Sequence, residues 1–151
     1  MNNMAVEVLL IEDNPEDAEL TIRVLKKNNL ANNLVHLQDG EEALDYLYHR
    51  GKYADPASSP RPGIILLDLN MPRKDGREAL AEIKRDVKLR RIPVIILTTS
   101  KAIEDVSRSY DLGASGFITK PVSYEGLVDA ARILRKYWFE VAELPSTRNG
   151  T

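Results

Sequence analysis

Cysteine is absent from this 151-residue chain, which excludes disulfides, thiolate metal sites and cysteine nucleophiles. Long apolar runs are absent too, since nothing approaches the ~18 apolar residues of a membrane span. The opening MNNMAVEVLLIED has no cationic start and turns acidic at once, so it does not read as a signal peptide. A soluble, cytoplasmic protein without a membrane partner is the expectation. Basic excess is missing as well. A net charge of −2 argues against nucleic-acid binding, because phosphates would go unneutralised. Histidine occurs only as His36 and His49, with no partner at metal or triad spacing, and both read as structural. What remains is ordinary: 43% apolar and 29% charged residues, enough for one domain with a full core.

Short runs rich in valine, isoleucine and leucine alternate with helical patterns. The runs are Val6–Ile11, Leu34–Leu37, residues 64–67, residues 94–97 and the weaker Gly116–Thr119. Each is bounded by turn residues, as expected of a strand buried on both faces. Asn14 can cap the first helix with Pro15 at its first position, and Ala18, Ile22 and Leu25 recur on one face. Asp39 can cap a second helix carrying Ala43, Leu44 and Leu47. A third, from about residue 75 to 86, carries Leu80, Ile83 and Val87. A fourth carries Ile103, Val106 and Tyr110 and stops near Gly113. The last carries Leu127, Ala131, Leu134, Trp138 and Val141 along one stripe. Five βα units predict an α/β domain with a parallel sheet covered on both faces. Residues 51–63 hold three prolines, two glycines and two serines, and read as a surface loop.

In such folds the site lies at the carboxyl ends of the strands, near the point where strand order reverses. Strand one ends in Glu12-Asp13, strand three in Asp68, strand four in Thr98-Thr99-Ser100, and strand five in Lys120-Pro121. Carboxylates gathered at one edge repel one another. A hard divalent cation such as Mg²⁺ offsets that repulsion. Lys120 can hold an anion opposite the metal. The set suits phosphoryl transfer to Asp68, with Thr98 and backbone N–H groups as donors. A lone aspartate at a strand end is usually structural; the company of Asp13, Thr98 and Lys120 sets Asp68 apart. Glu12 also suits the dipole of the following helix, and Thr99 and Ser100 can cap the fourth helix.

These residues resemble a known family. Glu12-Asp13, Asp68-Leu-Asn-Met71-Pro72 with Gly76, Thr98-Thr99-Ser100, and Gly113-Ala-Ser-Gly-Phe-Ile-Thr-Lys120-Pro121 resemble the response-regulator receiver domain of two-component signalling. The resemblance spans roughly residues 6–141 and implies a (βα)₅ flavodoxin-like, three-layer α/β/α fold over residues 1–142, followed by a polar tail over 143–151. It implies a sensor histidine kinase as phosphodonor and Asp68 as phosphoacceptor. Asp13, Asp68 and the backbone carbonyl of Asn70 would hold Mg²⁺, with Glu12 assisting through water. Thr98 and Lys120 would contact the phosphoryl group, and the Lys120–Pro121 bond would be cis. Thr98 and Phe117 would form the switch; Phe117 stands where the family often has tyrosine and lacks the hydroxyl. Asn70, Thr99 and Ser100 would tune the rates. Such a domain catalyses only its own phosphorylation and dephosphorylation.

Tyr137, Trp138 and Phe139 are successive helical residues, about 100° apart, so all three rings cannot enter one core. Trp138 alone packing inside is the plain reading; an aromatic contact that makes a homodimer is the sharper one. The proline-bearing loop and the aromatic last helix before Glu143-Leu144-Pro145 are most similar to single-domain regulators of bacterial phytochrome kinases. No output domain is expected to follow. Three other readings fare worse. An aspartyl-phosphate hydrolase needs an acid two residues after the nucleophile, where Asn70 stands. A flavodoxin needs a phosphate loop where Glu12-Asp13-Asn14-Pro15-Glu16-Asp17 would repel FMN. A degenerate binding module would have lost acidic residues that are all present.

Overall fold

The computed structural model describes residues 6–27, 33–69, 71, 75–98, 111–120 and 124–137. The apolar runs form five strands: β1 (Val6–Ile11), β2 (Leu34–Leu37), β3 (Pro62–Asp68), β4 (Val94–Thr98) and β5 (Gly116–Thr119). They make one sheet in the order β2-β1-β3-β4-β5, with every neighbouring pair parallel. The order reverses at β1, so a crevice opens between β1 and β3 at their carboxyl ends. Strand β3 starts two residues earlier than expected, at Pro62. Proline is tolerated there because it is the first residue of the strand.

The described helices are α1 (Pro15–Lys27), α2 (Gly40–Tyr48), α3 (Gly76–Arg85) and α4 (Tyr124–Tyr137). The helix expected around Ile103, Val106 and Tyr110 lies outside the described residues, as do Trp138, Val141 and the tail over 143–151. Asn14 caps α1, its Oδ1 accepting from the amides of Glu16 and Asp17. Asp39 caps α2 through the Glu42 amide. Asp75 and Glu78 form a reciprocal capping box on α3. Val87 does not extend the α3 core face. The helix ends at Arg85, and Val87 is 64% exposed in the following turn.

Side chains alternate across the sheet and divide the core in two. Leu9, Ile11, Ile65, Leu67 and Ile96 pack with α2 and α3. Val8, Leu10, Ile64, Leu66, Ile95, Leu97 and Ile118 pack with Ala18 and Leu25 of α1 and Leu127 of α4. This is the expected three-layer α/β/α arrangement.

The segment over 51–63 is more ordered than a plain surface loop. It opens with a 3₁₀ turn at Gly51–Tyr53, and Ser59 is buried. The Tyr46 hydroxyl donates to the Pro60 carbonyl at 2.7 Å, and burial pushes that hydroxyl's pKa up to about 12. His49 Nε2 meets the Ser59 carbonyl at 2.9 Å from a left-handed backbone at the end of α2. His49 is therefore structural, as expected.

Candidate functional site

Register brings the site together. Ile11 pairs with Leu67, Asp68 with Leu97, and Thr98 with Thr119, so four strands end level. The residues just past those ends must share one edge. Positions 12, 68 and 120 also continue the alternation that points Leu10, Leu66 and Ile118 toward α1 and α4. Their side chains consequently meet. The ammonium of Lys120 lies 2.6 Å from Glu12 Oε1, 3.2 Å from Asp17 Oδ2 and 3.4 Å from Asp68 Oδ2. The shortest of these is the buried ion pair with Glu12. Glu12 Oε2 accepts from the Asn14 amide at 3.1 Å, so both carboxylate oxygens of Glu12 are engaged.

Glu12, Asp68 and Lys120 are buried, while Asp13 is exposed. Carboxylate oxygens of Glu12, Asp13 and Asp68 lie within 4.8 Å of one another. Three hard oxygen donors with one side open to water suit a divalent cation of the Mg²⁺ type. Among the described residues this is the one such cluster.

Burial alone would depress the pKa of Lys120, but Glu12, Asp68 and Asp17 outweigh it and hold the ammonium above the usual lysine value. The linkage sign follows. A raised folded-state pKa stabilises fully below the unfolded value of about 10.4, and the stabilisation disappears as pH rises through the folded value. Urea midpoints of wild type and Lys120→Met should therefore differ at pH 7 to 9 and converge in strong alkali.

Glycine at position 76 is a steric necessity. A Cβ there would sit 2.2 Å from the Asp68 carbonyl oxygen and 2.7 Å from Leu69 Cα, both backbone atoms. The close approach lets the Gly76 amide donate to the Leu69 carbonyl at 3.0 Å, anchoring α3 beneath the end of β3. Gly76→Ala should cost about 1–3 kcal/mol, read as a lower urea midpoint, because backbone and not a flexible side chain has to move.

Of the other expected site residues, Thr98 ends β4 beside the cluster. Phe117 is half-buried against the opposite core, on the α2 and α3 face. Asn70, Thr99, Ser100 and Pro121, with the expected cis bond, lie outside the described residues, as do Trp138 and Phe139. Tyr137 closes α4. Two residues stand beside the site that the sequence did not place there. His36 Nε2 meets the Glu12 carbonyl oxygen at 2.8 Å from β2. Asp17 reaches Lys120 from α1, and its signal was an acidic residue one helical turn after Asp13.

A parallel sheet with a carboxylate cluster and a buried lysine at its switch point suits metal-assisted phosphoryl chemistry. The response regulator receiver domain family matches residues 8–132, and the chain belongs to that family. It is 42% identical over 139 residues to response regulator Rcp1 of Synechocystis sp., covering 92% of each chain. The Mn²⁺-bound structure of Rcp1 superposes with a TM-score of 0.74, covering 90% of this chain and 96% of that one. The phosphorylated cyanobacterial phytochrome response regulator RcpA is 40% identical, with a TM-score of 0.75 and coverage of 90% and 95%. The bacteriophytochrome response regulator AtBRR is 44% identical, with a TM-score of 0.75 and coverage of 87% and 93%. Among the described residues, no helix is long and apolar enough to cross a membrane.

Proposed function

We propose that Asp68 accepts a phosphoryl group from the phosphohistidine of a sensor kinase, and that the resulting charge throws a conformational switch. The observation that carries this reading is the Lys120 ammonium set between Glu12, Asp17 and Asp68 beside three clustered carboxylates. In the transfer, a carboxylate oxygen of Asp68 forms a P–O bond as the P–N bond breaks. The bonding electron pair leaves with the imidazole nitrogen. Mg²⁺ bound by Asp13, Asp68 and the Asn70 carbonyl would neutralise charge on the transferred group. Glu12, whose oxygens already meet Asn14 and Lys120, would act through water. Lys120 and Thr98 would hold the phosphoryl oxygens once the acyl phosphate forms. Thr98 and Phe117 would carry the change outward, and Asn70, Thr99 and Ser100 would tune its lifetime. This chemistry acts on the domain itself and makes no free product beyond released phosphate.

The likeness to the phytochrome response regulators RcpA and AtBRR supports a phytochrome as the sensor, hence red or far-red light as input. We further propose a cytoplasmic receiver domain over 1–142 with a polar tail over 143–151. It would form homodimers through Tyr137, Trp138 and Phe139 and would bind no nucleic acid, in keeping with its net charge of −2.

Intact-mass spectrometry after incubation with acetyl phosphate, or with a phosphorylated kinase, tests the central claim. One Mg²⁺-dependent phosphoryl adduct is expected, and chelating the metal with EDTA should reduce its formation to background. Folded wild type that gains no mass from either donor would leave only a binding module.

A further inference from the structure

Lys120 has one carboxylate partner more than the proposed transfer calls for. Glu12 and Asp68 stand beside it at the strand ends, but Asp17 reaches it from the first turn of α1, in a different layer, at 3.2 Å. Asp17 is held in place to do so. Its amide donates to Asn14 Oδ1 at 3.0 Å, and its carbonyl accepts from the buried Thr21 hydroxyl at 2.9 Å. The side chain of Asp17 is 32% exposed, against 1% for Glu12 and 4% for Asp68. Of the three ion pairs on Lys120, the one with Asp17 is thus the best solvated and the cheapest to break.

We propose that Asp17 is a positioning residue that tethers Lys120 toward α1 in the resting state and thereby restrains phosphorylation of Asp68. Lys120 must slacken its hold on a carboxylate before it can meet a phosphoryl oxygen, and the solvated Asp17 contact is the one that yields. The residue therefore sets how readily the site loads, without touching the reacting atoms. This inference rests on Asp68 being the phosphoacceptor.

A double-mutant cycle tests it. Phosphorylation by acetyl phosphate at saturating Mg²⁺ is followed by intact mass for wild type, Asp17→Asn, Asp17→Glu, Lys120→Met and Asp17→Asn/Lys120→Met. Asp17→Asn keeps the side chain's shape and should load about three to ten times faster than wild type, the scale of releasing one partly solvated ion pair. Asp17→Glu keeps the charge and should stay near the wild-type rate. In the Lys120→Met background, the Asp17→Asn change should alter the rate by less than about twofold, because the tether has lost its far end. An unchanged or slower Asp17→Asn overturns the proposal. So does an equal acceleration in both backgrounds, which would mean bulk electrostatics and no tether. Wild type that takes up no phosphoryl group at all overturns the Asp68 reading and this one together.

Discussion

Asp68→Asn should show no phosphoryl adduct under conditions that load wild type fully. The substitution removes the proposed nucleophilic oxygen and its negative charge. An asparagine amide has the same shape, and its carbonyl oxygen can still accept from Lys120, which lies 3.4 Å from Asp68 Oδ2. The backbone of residue 68 keeps its place opposite Leu97 in the sheet. Removing a carboxylate also lowers repulsion within the cluster of Glu12, Asp13 and Asp68. Stability without metal should therefore stay within about 1 kcal/mol of wild type, read from urea unfolding. Divalent-cation affinity, read by calorimetry, should fall by about tenfold or more, because one of the charged donors is gone. Adduct formation at the wild-type rate would move the acceptor to another residue. Loss of the adduct together with loss of the fold would show that Asp68 is chiefly structural.

Lys120→Ala should have the largest effect on stability, about 3–5 kcal/mol in the absence of divalent cations. The reason lies in Glu12. Its side chain is 1% exposed, and Lys120 at 2.6 Å is its cation. Deleting the lysine leaves a buried carboxylate facing Asp13 and Asp68 with no positive partner. Domains of this size are stable by only about 5–15 kcal/mol, so the variant approaches the unfolding threshold. Mg²⁺ should restore part of the loss, since it neutralises the same carboxylates from the other side. Lys120→Met, which keeps the aliphatic packing, should recover a smaller part without metal. Urea titrations of both variants with and without Mg²⁺ separate the charge from the packing. In the loaded protein, either variant should carry phosphate on Asp68 without the accompanying surface change, visible as unshifted amide resonances along β4 and β5. A Lys120→Ala variant as stable as wild type in EDTA would mean that Glu12 is compensated elsewhere.

The layout of the chain was legible in the sequence because strands buried on both faces leave unbroken apolar runs. Helix starts were legible where a cap is local: Asn14 and Asp39 each bond to amides two or three residues on. Val87 was misassigned because a helical period reads on past the end of a helix. The turn that stops α3 is held by Asp86, whose carboxylate accepts from the amides of Lys88 and Leu89. The order within 51–63 was hidden because its anchors, Tyr46 and His49, lie in the preceding helix and its cap.

By itself, the sequence determined the residue types at the strand ends, and with them the chemistry on offer: clustered carboxylates that suit a hard cation, and one lysine. Those are properties of side chains and of their position after an apolar run. Only the tertiary structure decided which of them touch. Parallel register and the two-residue alternation turn Glu12, Asp68 and Lys120 to the α1 face and Phe117 to the other. Packing of α1 over that face then adds Asp17, and the approach of α3 to β3 allows only glycine at position 76. Such contacts join residues up to 108 positions apart, as between Glu12 and Lys120, and no local pattern encodes a distance between layers.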